Sequence, residues 1–185
     1  MGKLVYQVAC SLDGFIGHSN GSFDGFLMDG PHASAFYESL NAFNTVLMGR
    51  KTYTFGYAYG LQPGEAPYPN MRNVVFSRSL SLPDGAQVEV VNRSAASFVA
   101  DLKQNNGGPI WLCGGGDLAS QLLSANLIDE CWLKLNPILL GKGIPAFGAV
   151  EALHSLQLMS TESYTNGVVL LKYAIQNVKT EPIQE

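Results

Sequence analysis

The chain has 185 residues, 46% of them hydrophobic and 14% charged, and a formal net charge of −4. That length suffices for one domain with a full core, and the hydrophobic share excludes a disordered chain. An acidic chain without a run of Lys or Arg has no electrostatic pull toward nucleic acid, so a small-molecule ligand is expected instead.

In chain order, residues 4–10 read as a buried strand, followed by Asp13-Gly14 and a Gly/Asn/Ser-rich loop over 17–25. Pro31 opens a helix whose apolar spacing runs through Ala35, Phe36, Leu40 and Phe43. Residues 45–48 form a short strand that leads into Gly49-Arg50-Lys51-Thr52 and a second helix start. An irregular loop rich in Gly, Pro and Tyr follows over 57–70. Strands are expected at 73–77 and 88–91, then a helix capped by Ser94 that ends at Gly107-Gly108-Pro109. The strand at 110–113 runs into Gly114-Gly115-Gly116 and a helix over 117–125. A long strand at 128–135 precedes two strands, 153–160 and 168–175, joined through Thr165-Asn166-Gly167, a hairpin signal. Strands that alternate with helices predict an α/β fold with a mostly parallel sheet, helices on both faces and a closing antiparallel hairpin. A single domain over 1–178 and a polar tail over 179–185 complete the expectation.

Cys10, Cys113 and Cys131 lie in apolar runs without metal-type spacing and read as buried free thiols. His18, His32 and His154 are too scattered for a zinc set, so no metal is expected. Neither a signal peptide nor a membrane span is visible, and a cytoplasmic location is expected.

Three segments carry chemistry. Gly49-Arg50-Lys51-Thr52 places a glycine, two cations and a hydroxyl where a helix start offers free N–H groups to an anion; a solvated helix start is the competing reading. Three successive glycines, Gly114 to Gly116, cost roughly 1 kcal/mol each relative to Ala and suit a pyrophosphate lying against the backbone; a plain strand–helix turn is the competing reading. Ser77-Arg78 at a strand end suits a phosphate monoester. All three are expected at carboxyl ends of parallel strands, where such sheets bind ligands. Tyr53, Tyr57, Tyr59 and Tyr68 form either an aromatic wall for a flat heterocycle or part of a subunit contact.

Met48-Gly49-Arg50-Lys51-Thr52 resembles a segment of the dihydrofolate reductases, and 110–116 resembles that family's second glycine segment. Ser11-Leu12-Asp13-Gly14 and Asn136-Pro137-Ile138-Leu139-Leu140-Gly141 are similar to a sister group, the reductase domain of bacterial riboflavin biosynthesis and its stand-alone relatives. The resemblance implies a dihydrofolate-reductase-like fold and an NADPH-dependent reductase of a pyrimidine- or pteridine-type substrate. It also implies a homodimer. By position it assigns Arg50, Lys51 and Thr52 to cofactor phosphates, with Gly49 opening the turn, and Ser77 and Arg78 to the adenosine 2′-phosphate. Gly114, Gly115, Gly116, Asp117 and Leu118 would line the pyrophosphate and nicotinamide ribose, and Ala9, Ile16 and Gly17 would seat the nicotinamide.

The chain departs from the folate-reducing pattern. The helix carboxylate is replaced by Ala33, beside Pro31 and His32, and Lys134 stands where a supporting threonine would be. Asp13 and Glu38 are then the expected proton donors, each against a plainer reading as a turn acid and a solvated helix residue. A nucleotide-binding protein of this fold without turnover, and a dihydrofolate reductase, are the competing functions.

Overall fold

The computed structural model describes residues 2–105 and 108–176, so the polar tail expected over 179–185 lies outside the described residues. The elements are β1 (Leu4–Ser11), β2 (Phe15–Gly17), α1 (Pro31–Ser39), β3 (Thr45–Gly49), α2 (Arg50–Phe55), β4 (Arg72–Phe76) and β5 (Val88–Val91). They continue with α3 (Ala95–Asn105), β6 (Ile110–Gly114), α4 (Gly116–Ser124), β7 (Glu130–Asn136), β8 (Ile144–Pro145), β9 (Ser155–Ser163) and β10 (Val169–Gln176).

Eight strands form one sheet in the order β5-β4-β3-β6-β1-β7-β10-β9. Five pairings, from β5 across to β7, are parallel, and β10 pairs antiparallel with both β7 and β9. The fold class is the one expected: α/β, dihydrofolate-reductase-like, with a C-terminal antiparallel hairpin. The hairpin turn closes through Tyr164 and Gly167, whose φ of +89° is the left-handed geometry that Asn-Gly signalled. The short β2–β8 pair was not expected from sequence. A three-residue and a two-residue strand carry too little alternation to be recognised.

Alternation along the central strands builds two cores. Leu4, Tyr6, Leu47, Val74, Ile110 and Leu112 face one side, where α3 and α4 cover them with Phe98, Val99, Leu118 and Leu122. Val5, Val46, Met48, Val75 and Trp111 face the other, under Phe36 and Leu40 beside α1 and Tyr53 of α2. A strand buried on both faces is mostly apolar, which is why β3 reads as a continuous run and β1 as one interrupted by Gln7.

The four tyrosines do not share one wall. Tyr53 is buried, with its hydroxyl donating to the Glu65 carbonyl and accepting from the Gly64 amide. Tyr68 packs edge-on against Trp111 with ring centroids 4.7 Å apart. Tyr59 alone of the four stays mostly exposed, stacked on Phe23. These rings fill the second core because α2 is short and leaves sheet surface for the following loop to cover.

Among the described residues, no helix is long and apolar enough to cross a membrane. Truncating Leu47, fully buried at the centre of the sheet, is expected to cost about 2–5 kcal/mol in a Leu47→Ala variant, read from denaturant unfolding.

Candidate active site

All carboxyl ends of the parallel strands open on one rim of the sheet. The register places Gly49 beside Phe76 and Met48 beside Gly114. Ser77-Arg78, Gly49-Arg50-Lys51-Thr52 and Gly114-Gly115-Gly116 therefore cap three adjacent strands, a span of about 10 Å at the usual strand spacing.

Local geometry explains the glycines. Gly114 has a φ of +134°, a backbone region that side chains rarely adopt, and nothing within 4 Å of where its Cβ would stand. A Cβ on Gly116 would collide with the Pro145 carbonyl, so β8 can pass over the start of α4 only because that residue has no side chain. A Cβ on Gly115 would face the Thr52 hydroxyl at 3.6 Å, which places the two glycine-led helix starts against each other. Neither helix start is capped by a side chain: Gly49 precedes α2 and Gly115 precedes α4. Their first N–H groups stay available to an anion on the rim.

Arg50, Lys51 and Arg78 are exposed, and none makes an ion pair with a described residue. The Ser77 hydroxyl accepts from the Ser79 and Leu80 amides, at 3.2 and 2.9 Å. Asp117 is exposed in the first turn of α4, whereas the Leu118 side chain lies in the core and offers only its backbone to the rim.

Asp13 and Glu38 occupy unlike places. The Asp13 carboxylate accepts from the Ser11 hydroxyl at 2.6 Å, the Gly141 amide at 2.7 Å and the Leu140 amide at 3.1 Å. These bonds, the Ser11 hydroxyl first, hold its carboxyl down at about 2. An acceptor so occupied clasps the 137–143 loop to the end of β1 and has no proton to give near neutrality. The clasp is continued by Leu12 N–H to the Ile138 carbonyl and by β2 against β8, which sets Gly17 opposite Ile144. Glu38 is exposed on α1 and borders no cleft described here.

Beside Ala9 a cleft of about 90 Å³ opens between α1 and the sheet. Gln7 of β1, Trp132 and Lys134 of β7, Lys172 of β10, Glu162 of β9 and His32 of α1 are among its lining residues. Register puts Gln7 opposite Trp132 and Ala9 opposite Lys134, so these side chains share one face. Lys134 is half-buried, 5.5 Å from the centre of the Phe36 ring, and burial lowers its pKa. Lys172 lies 3.9 Å from the centre of the Trp132 ring.

His32 is 2% exposed; its Nε2 lies 3.0 Å from the Leu27 carbonyl and its Nδ1 3.0 Å from the Asn166 carboxamide nitrogen. A neutral ring with its proton on Nε2 satisfies both contacts. It ties the start of α1 to the β9–β10 turn and closes one end of the cleft. Sequence reading overlooked Gln7, Asn166 and Trp132. The register of β1 against β7, which spacing does not reveal, brings Gln7 and Trp132 together, and Asn166 arrives from the β9–β10 turn through His32.

A family model described as the RibD C-terminal domain matches residues 2–170. The uncharacterised protein YyaP of Bacillus subtilis (strain 168) is 32% identical over 180 residues, covering 92% of this chain and 94% of the relative. A protein assigned to riboflavin biosynthesis from Shewanella sp. PV-4 superposes with a TM-score of 0.80 at 25% identity, over 96% of this chain and all of that one. The Thermotoga maritima diaminohydroxyphosphoribosylaminopyrimidine deaminase/5-amino-6-(5-phosphoribosylamino)uracil reductase shares the fold, with a TM-score of 0.67 at 16% identity over 94% of this chain and 56% of that one.

The Asp13 clasp has a pH signature. A carboxyl held at about 2, against an ordinary 3.8, stabilises the folded chain above the ordinary value, and that contribution disappears as pH falls through about 2. An Asp13→Asn variant is expected to speed hydrogen exchange at the Leu140 and Gly141 amides at pH 7. Unchanged exchange there removes the clasp.

Proposed function

The chain belongs to the RibD C-terminal domain family, the reductase domain of riboflavin biosynthesis, and from that premise we propose that it is an NADPH-dependent reductase of a small pyrimidine- or pteridine-type heterocycle. The observation that carries this reading is the placement of three phosphate-type segments on three adjacent strand ends. The rim fits the cofactor: a left-handed glycine with open space beside it, two uncapped helix starts and three cations without ion pairs.

In this reading Arg50, Lys51 and Thr52 hold phosphates, and Ser77 with Arg78 takes the 2′-phosphate. Gly114 to Gly116, Asp117 and the backbone of Leu118 follow the pyrophosphate and ribose, and Ala9, Ile16 and Gly17 seat the ring. When bound, the reduced nicotinamide supplies hydride. The substrate lies in the cleft beside Ala9. Lys134 Nζ holds the proton that completes the reduction, since burial makes an ammonium more acidic. Asp13 is a positioning residue for the nicotinamide loop. Reduction of the phosphoribosylaminouracil named for the Thermotoga relative is the first activity to assay.

A second reading, an NADP(H)-binding protein without turnover, rests on one observation: α1 presents His32, Ala35, Phe36 and Ser39 to the cleft and no carboxylate. Oxidation of NADPH, followed by its absorbance with aminouracils and pterins, separates the two.

The same reading takes the chain as one domain over 1–178, cytoplasmic, and paired as a homodimer. Its pairing surface is the hairpin. All of β9 is exposed, no described strand covers its outer edge, and it carries no Lys or Pro to blunt pairing. Leu156 and Leu158, 49% and 52% exposed, stand in register with Ile175 and Tyr173 on the face away from the cleft. A second copy laid against this face buries an apolar surface that no described element of its own chain covers.

Two outcomes follow. NADPH is expected to raise the melting temperature, and Arg78→Ala to weaken NADPH by about tenfold or more while leaving NADH unchanged, since a charge-assisted bond to phosphate is worth about 1.5–3 kcal/mol. Equal weakening of both cofactors removes the 2′-phosphate role. In light scattering after gel filtration the native chain should run as a dimer and a Leu156→Lys/Leu158→Lys variant as a monomer; a native monomer overturns the pairing surface.

A further inference from the structure

Gln7 is 6% exposed, and its carboxamide orientation is fixed by one neighbour. The Ser39 hydroxyl donates to the Phe36 carbonyl at 2.6 Å, so its oxygen accepts from Gln7 Nε2 at 2.8 Å. That leaves Gln7 Oε1 buried and without a hydrogen-bond partner among the described residues. A buried amide oxygen left unpaired is costly, and a donor arriving with a ligand relieves the cost.

Two residues along the same face stands a group with the opposite need. Lys134 offers three donors and has no acceptor among the described residues. Glu162 lines the cleft but lies two strands away across Leu170 and makes no ion pair with it. Lys172 is occupied by the Trp132 face and adds positive charge to the same wall. Phe36 and Trp132 supply flat apolar surface to either side.

We propose that Gln7 and Lys134 determine specificity as a two-point reader of a ring edge on which an N–H donor adjoins a carbonyl or enolate oxygen. Gln7 Oε1 accepts the N–H, and Lys134 Nζ donates to the oxygen. The ligand class is an oxo-pyrimidine with a lactam edge. Amino-pyrimidines that protonate on the ring are disfavoured, because at this edge a ring cation meets the Lys134 ammonium, with Glu162 two strands away. The inference rests on the reading that the cleft beside Ala9 is the substrate site.

The test uses the free protein, so cofactor binding and turnover do not enter. Calorimetry and tryptophan fluorescence measure 6-aminouracil and 2,4-diaminopyrimidine; Trp132 borders the cleft, whereas Trp111 is buried in the core. The native chain is expected to favour 6-aminouracil by about tenfold or more, the scale of one charge-assisted hydrogen bond. Lys134→Met and Gln7→Leu should each remove most of that preference, and Lys134→Glu should reverse it. Circular dichroism confirms that each variant is folded, and a reversal is itself proof of a folded cleft. Equal affinity for the two probes in the native chain, or a Lys134→Glu preference still on the uracil side, overturns the proposal. NADPH binding that survives such a result leaves the reductase reading standing. Uracil preference without NADPH binding sinks that reading and leaves the edge reader.

Discussion

Insertion of β6 between β3 and β1 is the constraint on which the rest of the molecule depends. A strand at 110–114 pairs in parallel with one at 45–49 and another at 4–11, and brings three distant turns to one rim. Without that insertion Gly114 to Gly116 would not lie beside Thr52, and neither glycine-led helix start would aim at a shared space. Parallel pairing over such separations carries a large loop-closure cost. It is met by strands apolar on both faces, with Leu47, Ile110 and Leu112 at 0% exposure.

The rim and the cleft are built on different terms. The rim relies on backbone: glycines, free N–H groups and few side chains. Its chemistry is therefore local and shows in short sequence motifs. The cleft relies on side chains from five elements: four from α1 and one or two from each of β1, β7, β9 and β10. The Asp13 clasp and the β2–β8 pair tie the end of β1 to the rim, since Pro145 of β8 passes over Gly116 at the start of α4.

That division explains what was legible in the sequence. Period, glycine and proline placed every long element and the hairpin turn. The rim segments were legible because a glycine after a strand has a direct backbone meaning. The tyrosines stayed ambiguous because aromatic residues in a Gly/Pro loop look alike whether they face solvent or core; in the fold Tyr53 is buried and Tyr68 packs on Trp111. Gln7 was invisible for the converse reason: one polar residue in an apolar strand reads as an interruption. Its role depends on Ser39, 32 positions away, and on the register with Trp132. Asp13 was expected to give a proton, whereas the acceptor geometry that occupies it depends on amides of a loop 127 residues later in the chain.

The cleft's chemistry runs against the economy of the rest of the fold. Lys103, the most buried lysine described, is paired with Asp129 and the Leu127 carbonyl, and Glu130 is paired with Lys3. The chain thus neutralises the charges it buries elsewhere. Among the described residues Lys134 has no such partner, and Gln7 Oε1 is one of the buried polar atoms without one. Groups that weaken the free protein and cluster in one concavity are characteristic of a surface shaped for something that arrives later. A donor without an acceptor and an acceptor without a donor, on adjacent strands of one face, together define the complement they lack.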